Sequence, residues 1–383
     1  MELRWVQSID EVPRADWNEL VGPDDVPFLE WEWLHALEAS GSISPRHGWY
    51  PVHATVWSGG RLAAAAPFYL KTHSWGEFVF DHVWQDVAAR LKSPYFPKLV
   101  GVIPATPAEG YRFLIAPGED EAGLTEAIVD AARRLAEKSK AHGLHFLFTA
   151  PEWRGRLESA GHKAWRHQHF TWLNEGYSSF DDYLARFDKN QRRNIRRERD
   201  SMRDQDLSLE VIEGQDAGEE LFERMFDYYS LTNDKFVPYD ARFVNREFFL
   251  SLAREHRPRL AFVSARRPGA GHPTALAFLV RKGGRLWGRY WGTESELHDL
   301  HFNACYYTPI EWCIAQGIRS FDPGAGSHHK VRRGFRSASN MSYHLFFDQR
   351  LQRVYEDNIQ TINDYEQEGI DELNAALPFK AGA

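Results

Sequence analysis

The chain has 383 residues, 43% hydrophobic and 26% charged, with 14 Trp, 15 Tyr and 25 Phe, which excludes a disordered chain and favours two globular domains over one. Its net charge of −8 excludes a broadly basic nucleic-acid binder, so an anionic partner must meet a local patch. The most continuous small and apolar run, 62–70, is far short of a membrane span. The first ten residues mix charges among apolar side chains, unlike a secretory signal, and a cytoplasmic protein is expected.

In chain order, 3–6 reads as a short strand and 27–39 as a helix carrying Phe28, Trp31, Leu34 and Leu37. The runs 52–57 and 61–70 flank Ser58-Gly59-Gly60 in hairpin fashion. The aromatic stretch 73–117, with prolines at 94, 97, 104 and 107, yields no clear elements and reads as a long irregular loop. Residues 125–141 form an amphipathic helix, with Ile128, Ala132 and Leu135 inward and Arg133, Arg134 and Glu137 outward. A buried strand at 144–148, a short helix at 153–160 and a strand at 170–173 complete a first domain of residues 1–173.

The second domain, 174–383, opens on a helix predicted over 181–205, with Ser178, Ser179, Asp181 and Asp182 suited to its free N-terminal amides. Seven basic residues lie between 188 and 204 against four acidic ones, and Arg192, Arg196, Arg199 and Arg203 share one helical face. Such a stripe is either a solvated face, partly neutralised by Glu198, Asp200 and Asp204, or a site for phosphate-like anions, which suit planar guanidinium forks. Helices follow at 219–232 and 245–256, then strands at 260–265 and 274–281.

The most informative stretch is 286–335. An aromatic strand containing Trp287, Tyr290 and Trp291 leads to a helix over 301–317, stopped by Gly317, and a second strand at 318–321. Asp322-Pro323-Gly324-Ala325-Gly326-Ser327 then forms a small-residue loop, followed at once by His328, His329, Lys330, Arg332 and Arg333. This is either a tight turn with a basic flank or a loop whose backbone approaches an anionic ligand. Cys305 and Cys313 lie two turns apart on the helix, about 12 Å at 1.5 Å per residue, too far for a disulfide. The adjacent His328 and His329 lack companion ligands at metal-site spacing, and no metal is expected. A last strand at 343–348 precedes an acidic amphipathic helix, 355–377.

The strings LHFNACYYTPIEWCIAQGI, FDPGAGSHHKVRRGF and, upstream, FTWLNEGYSSFDDYLARFDKNQRRNIRRERD resemble the FemAB-like proteins labelled peptidoglycan biosynthesis/recognition, a branch of the GNAT acyltransferase superfamily. The resemblance implies an α/β fold of two tandem GNAT-like domains, each a twisted mixed sheet flanked by helices. It also implies amide formation by direct attack of an amine on an acyl or aminoacyl donor, in a gap where two central strands splay, with no bound cofactor. Aminoacyl-tRNA and a nucleotide-linked precursor are the partners it suggests. The alternatives are a non-catalytic module binding a precursor or RNA, and an acyl-CoA-dependent enzyme. The segment 292–300, with one glycine and three acids, lacks the glycine-rich pyrophosphate loop of acetyl-CoA users.

On that basis Glu294, His301 and Tyr290 are the catalytic candidates, the first two as proton acceptors. Lys330, Arg333, Gly324, Gly326, Ser327, His329, Arg192, Arg196 and Arg199 are the candidates for substrate binding, with the two sets of cations expected to face one crevice.

Overall fold

The structure is a computed structural model that describes residues 1–235, 242–326 and 328–380. The chain divides into two compact units, one of residues 1–168 with 339–368 and one of 169–338 with 369–383. The linear division near 173 follows only the first passage of the chain between units. Residues 339–368 return to the first unit because Phe346, Leu351, Tyr355 and Ile359 bury their side chains with Trp84 and Ala88 there.

The strands of the first unit begin with β1 (Glu2–Val6), β2 (Trp49–Pro51), β3 (His53–Ser58), β4 (Arg61–Ala66) and β5 (Phe68–Lys71). They continue with β6 (Lys98–Gly101), β7 (Leu114–Ile115) and β8 (Gly143–Phe146). The predicted hairpin around Gly59-Gly60 is β3–β4, paired from Ala54↔Ala66 to Ser58↔Arg61. Helices α1 (Arg14–Glu19), α2 (Trp31–Ala39), α3 (His82–Arg90), α4 (Glu121–Lys138) and α5 (Arg154–Ser159) accompany these sheets. The stretch 73–117 thus holds a helix and two strands. Its prolines and aromatics obscured the short run Lys98–Gly101, all of it buried.

In this unit β6 and β8 run parallel from Leu99↔Leu144 to Gly101↔Phe146. The space at their C-terminal ends is filled, because a Cβ on Gly101 would collide with the Tyr111 hydroxyl and the Phe146 ring. The buried Tyr111 hydroxyl donates to the Pro67 carbonyl at 2.8 Å, which fixes the plug.

Strand β9 (Lys163–Leu173) leads into the second unit, followed by β10 (Ser208–Glu213), β11 (Leu260–Arg266), β12 (Ala275–Lys282), β13 (Arg285–Thr293), β14 (Ser320–Asp322) and β15 (Arg336–Phe346). The order of the second unit's sheet is β10-β11-β12-β13-β14, with Trp172 and Leu173 of β9 beyond β14. All neighbours are antiparallel except β13 and β14.

The helix predicted over 181–205 is two helices, α6 (Phe180–Ala185) and α7 (Lys189–Asp204). Asp188 ends the first path and caps the second, accepting from the amides of Asn190 and Gln191 at 2.8 Å each. Two helices, α8 (Glu219–Asp234) and α9 (Arg246–Glu255), cover one face of the sheet through Phe222 against Phe262 and Phe249 against Phe278. The helix predicted at 301–317 starts as α10 (Leu300–Phe302), passes through one π-helical segment at Asn303–Tyr307 and ends as α11 (Thr308–Gln316). Finally α12 (Gln349–Ala375) is longer than the predicted 355–377 at its start. No helix among the described residues is long and apolar enough to cross a membrane.

Candidate functional site

The site is organised by the way β13 leaves β14. The two strands pair only at Arg285↔Ser320, Leu286↔Phe321 and Trp287↔Asp322, whereas β13 continues to Thr293. Beyond Trp287 the two chains part. On the opposite edge of β13, Phe278 pairs with Tyr290 but Leu279 with Gly288, so Arg289 is an extra residue in a β-bulge. A bulge beside a gap re-aims the side chains that follow it.

At the fork two glycines meet. Gly324 has φ +80, and a Cβ there would stand 2.9 Å from the Gly288 carbonyl oxygen. Its amide donates to Asp322 Oδ1 at 2.8 Å. Glycine at position 324 is a requirement of both close backbone approach and the positive φ. Gly326 also has a positive φ, +131. Ser327 lies outside the described residues.

After this loop a short 3-10 helix, His328–Arg333, brings back the predicted cations. The charges of Lys330 and Arg333 are taken up inside the protein, the reverse of the free cations that the sequence suggested, whereas Arg332 is exposed. Lys330 is 1% exposed, and its ammonium donates to the carbonyls of Gly324 at 2.6 Å and Ala325 at 3.0 Å. Burial pulls its pKa down to about 8, against the attraction of Asp322. Arg333 is 4% exposed, lies 3.3 Å over the Phe302 ring and pairs with Glu198 Oε2 at 2.9 Å. Glu198 comes from α7, and it also accepts from the Tyr307 hydroxyl. Asn303 adds a bond to the Glu198 carbonyl at 2.8 Å.

The arginine stripe therefore does not converge on Lys330. Arg196 reaches Asp181 at 3.5 Å, and Arg199 pairs with Glu311 at 2.5 Å while lying 4.1 Å over Phe180. Residues of α7 that face the core, Ile195 and Met202, are buried, and with Glu198 they lie about a quarter turn from the stripe at 100° per residue. Arg192 is half-buried on the edge of that stripe, and Arg193, Arg196, Arg197 and Arg203 are exposed.

Nor do the three catalytic candidates form one group. Tyr290 enters an aromatic cluster with Tyr229, Phe249 and Phe278 on the α8–α9 side. Glu294 lies 3.1 Å from His272 Nε2 and 3.4 Å from the Tyr228 hydroxyl. His301 stands apart from both, ringed by Trp291, Phe302, Tyr306 and His329. Burial and the nearby His329, Lys330 and Arg333 depress its pKa to about 4, so it is neutral at pH 7.

His329 is the half-buried imidazole of this group. Its Nε2 lies 3.0 Å from the Tyr306 hydroxyl, and burial together with Arg333 and Lys330 keeps its pKa below the ordinary value. Tyr306, from the π-helical segment, was not among the predicted residues, nor was Glu198 in its observed role. A strict 3.6-residue period misplaces every side chain after a π insertion, so only their presence in the motif string could have flagged them. Cys305 and Cys313 are free and, with thiols pushed up by burial, stay protonated.

With this geometry in hand, the sequence matches the FemAB-like family, described as peptidoglycan biosynthesis/recognition, over residues 8–381. The chain belongs to that family. Among solved structures it is similar to FemX at 12% identity and TM-score 0.55, covering 93% of this chain and 100% of the other. It is also similar to the C-terminal DUF2156 domain of a candidate lysylphosphatidylglycerol synthetase from Agrobacterium fabrum, at 12% identity, TM-score 0.54 and coverage of 88% and 92%. A conserved protein of unknown function from Bacteroides thetaiotaomicron gives 10% identity, TM-score 0.50 and coverage of 90% and 99%. No curated protein matches the sequence. The α/β fold expected from the motifs, with mixed sheets flanked by helices, is the fold of this chain.

Proposed function

We propose that the protein is an N-acyl- or aminoacyltransferase that forms an amide bond in the second unit, with aminoacyl-tRNA as donor and a nucleotide-linked cell-wall precursor as acceptor, in the cytoplasm. The observation that carries this reading is the parting of β13 from β14 beyond Trp287, beside a loop in which Gly324 approaches the Gly288 carbonyl. In the proposed step the acceptor amine attacks the donor carbonyl, the N–C bond forms, and the ester C–O bond breaks with its electron pair on the departing hydroxyl. The amine proton passes to a neutral base and from there to that oxygen. Of the candidates, His329 supports this role best. It is neutral, partly exposed, oriented by Tyr306 and adjacent to the loop at the fork. Lys330 holds the loop closed on itself and places a positive charge behind it.

The inward-turned Lys330 and Arg333 favour a second reading, recognition of a precursor without chemistry. Mass spectrometry of the acceptor after incubation with charged tRNA separates the two. The transferase reading expects a gain of one aminoacyl residue. Acceptor binding with no mass change supports recognition alone, and transfer from an acyl-CoA thioester in place of charged tRNA supports the acyl-CoA reading.

A further inference from the structure

The first unit carries a groove of about 570 Å³ between α4 and α5, bordered by Thr125, Glu126, Asp130 and Arg133 on one side and by Gly155 and Arg156 on the other. It lies wholly within that unit and owes nothing to the parted strands. Small residues make the room, since a Cβ added to Gly155 would meet nothing within 4 Å.

Two polar groups in the wall are left wanting. Thr125 is 3% exposed, and its hydroxyl has no hydrogen-bond partner. Arg133 donates once, from Nη2 to the Ala160 carbonyl at 3.2 Å, while its buried Nε–H has no acceptor. Among the described residues no carboxylate pairs with this guanidinium, although Asp130 is one turn away on the same helix. Buried donors in this state call for an acceptor, and a guanidinium prefers a carboxylate or phosphate. Two exposed carboxylates, Glu126 and Asp130, line the same groove and would repel a ligand that carried only negative charge.

The geometry points to a site for a small zwitterion, an amino acid or short peptide, whose carboxylate meets Arg133 and Thr125 and whose ammonium meets Asp130 or Glu126. Along the helix, Asp130 lies about 4.5 Å and Glu126 about 10.5 Å from Arg133 at 1.5 Å per residue. A peptide spans about 3.4 Å per residue. Asp130 therefore suits the ammonium of a free amino acid or dipeptide, and Glu126 that of a tripeptide. The groove volume, within the usual range for small-molecule sites, fits the longer ligands better.

Isothermal titration of the full chain with L-alanyl-L-alanine and L-alanyl-L-alanyl-L-alanine tests this, alongside their N-acetylated and C-amidated forms. The expected result is binding of the unblocked peptides and a loss of at least about tenfold on blocking either end. Arg133→Gln should lose binding by a similar factor. Because Arg133 also holds the end of α5, the surface double variant Glu126→Gln, Asp130→Asn provides a second test without that risk, and it too should lose binding. Absence of binding by either unblocked peptide at about 10 mM overturns the proposal, as does affinity unchanged in the double variant. Neither readout depends on transferase activity, so this site and the proposed function can fail separately.

Discussion

Arg333 shows how one side chain changes meaning between sequence and structure. In the string SHHKVRRGF it follows a glycine loop with no neighbouring acid, which reads as a ligand for an anionic substrate. Its counterion is Glu198, 135 residues earlier in the chain, a distance over which no local pattern carries information. Arg333→Ala should therefore cost stability more than substrate affinity. Breaking a buried pair by removing one partner costs about 3 to 5 kcal/mol, and urea unfolding should register a loss of that order. A loss under about 0.5 kcal/mol would return Arg333 to the role of an exposed ligand. His329 leads to a different prediction. Its pKa lies below the ordinary 6.5 because of burial and two nearby cations, so the neutral, proton-accepting form persists at pH 7. Transfer should stay level across neutral pH and fall only below about 6.5, as the imidazole takes up a proton. His329→Ala should abolish that acid limb and lower kcat by about a hundredfold or more, with KM little changed. A variant that keeps the wild-type pH profile would remove His329 from the chemistry.

At the level of elements, what was legible follows the strength of the local pattern. The hairpin of β3 and β4 and the strand β13 were readable from alternation and glycine turns. The break between α6 and α7 was not, because Phe187 and Asp188 continue the helical period. What stops the helix is tertiary, since Phe187 bridges to Phe379 and the Asp188 amide donates to the Pro378 carbonyl at 2.9 Å. The π-helical segment was equally hidden, yet it sets where Tyr306 and Tyr307 point. Gly292 was read as the lone glycine of a poor phosphate loop. In the structure it closes β13, and any Cβ there would run into the backbone of Tyr228 on α8. Gly292→Ala should therefore separate α8 from the sheet and destabilise the second unit by about 1 to 3 kcal/mol, measurable by thermal melting. An unshifted melt would mean that α8 can retreat at no cost.

For the whole molecule, burial of histidines sets the response to acid. The first unit buries His145, His162 and His344 and half-buries His167, with His145 and His344 3.0 Å apart between their Nδ1 atoms. Burial holds His162 and His167 near pKa 3, and His145 and His344 well below the ordinary value. Unfolded histidine titrates near 6.5, so the unfolded chain binds more protons below that pH. Stability is thus full above pH 6.5 and lost as pH falls toward 3. The loss by pH 5 is on the order of 2 kcal/mol each for His162 and His167. Urea unfolding at pH 7.5, 6 and 5 should show this decline, and a flat profile would mean that these rings are reached by solvent.

The contrast between the parallel strand pairs of the two units leads to the most direct test. The plug of Tyr111 and Phe146 closes the parallel pair of the first unit, whereas the second unit parts β13 from β14 at Gly288. There a Cβ would already lie 3.4 Å from the Pro323 carbonyl. The decisive measurement is the rate of amide formation by Gly288→Val, in protein whose melting temperature matches the wild type. Valine branches into the fork, so a loss of at least about a hundredfold is expected. Transfer at the wild-type rate would place the reaction elsewhere on the molecule and contradict the account.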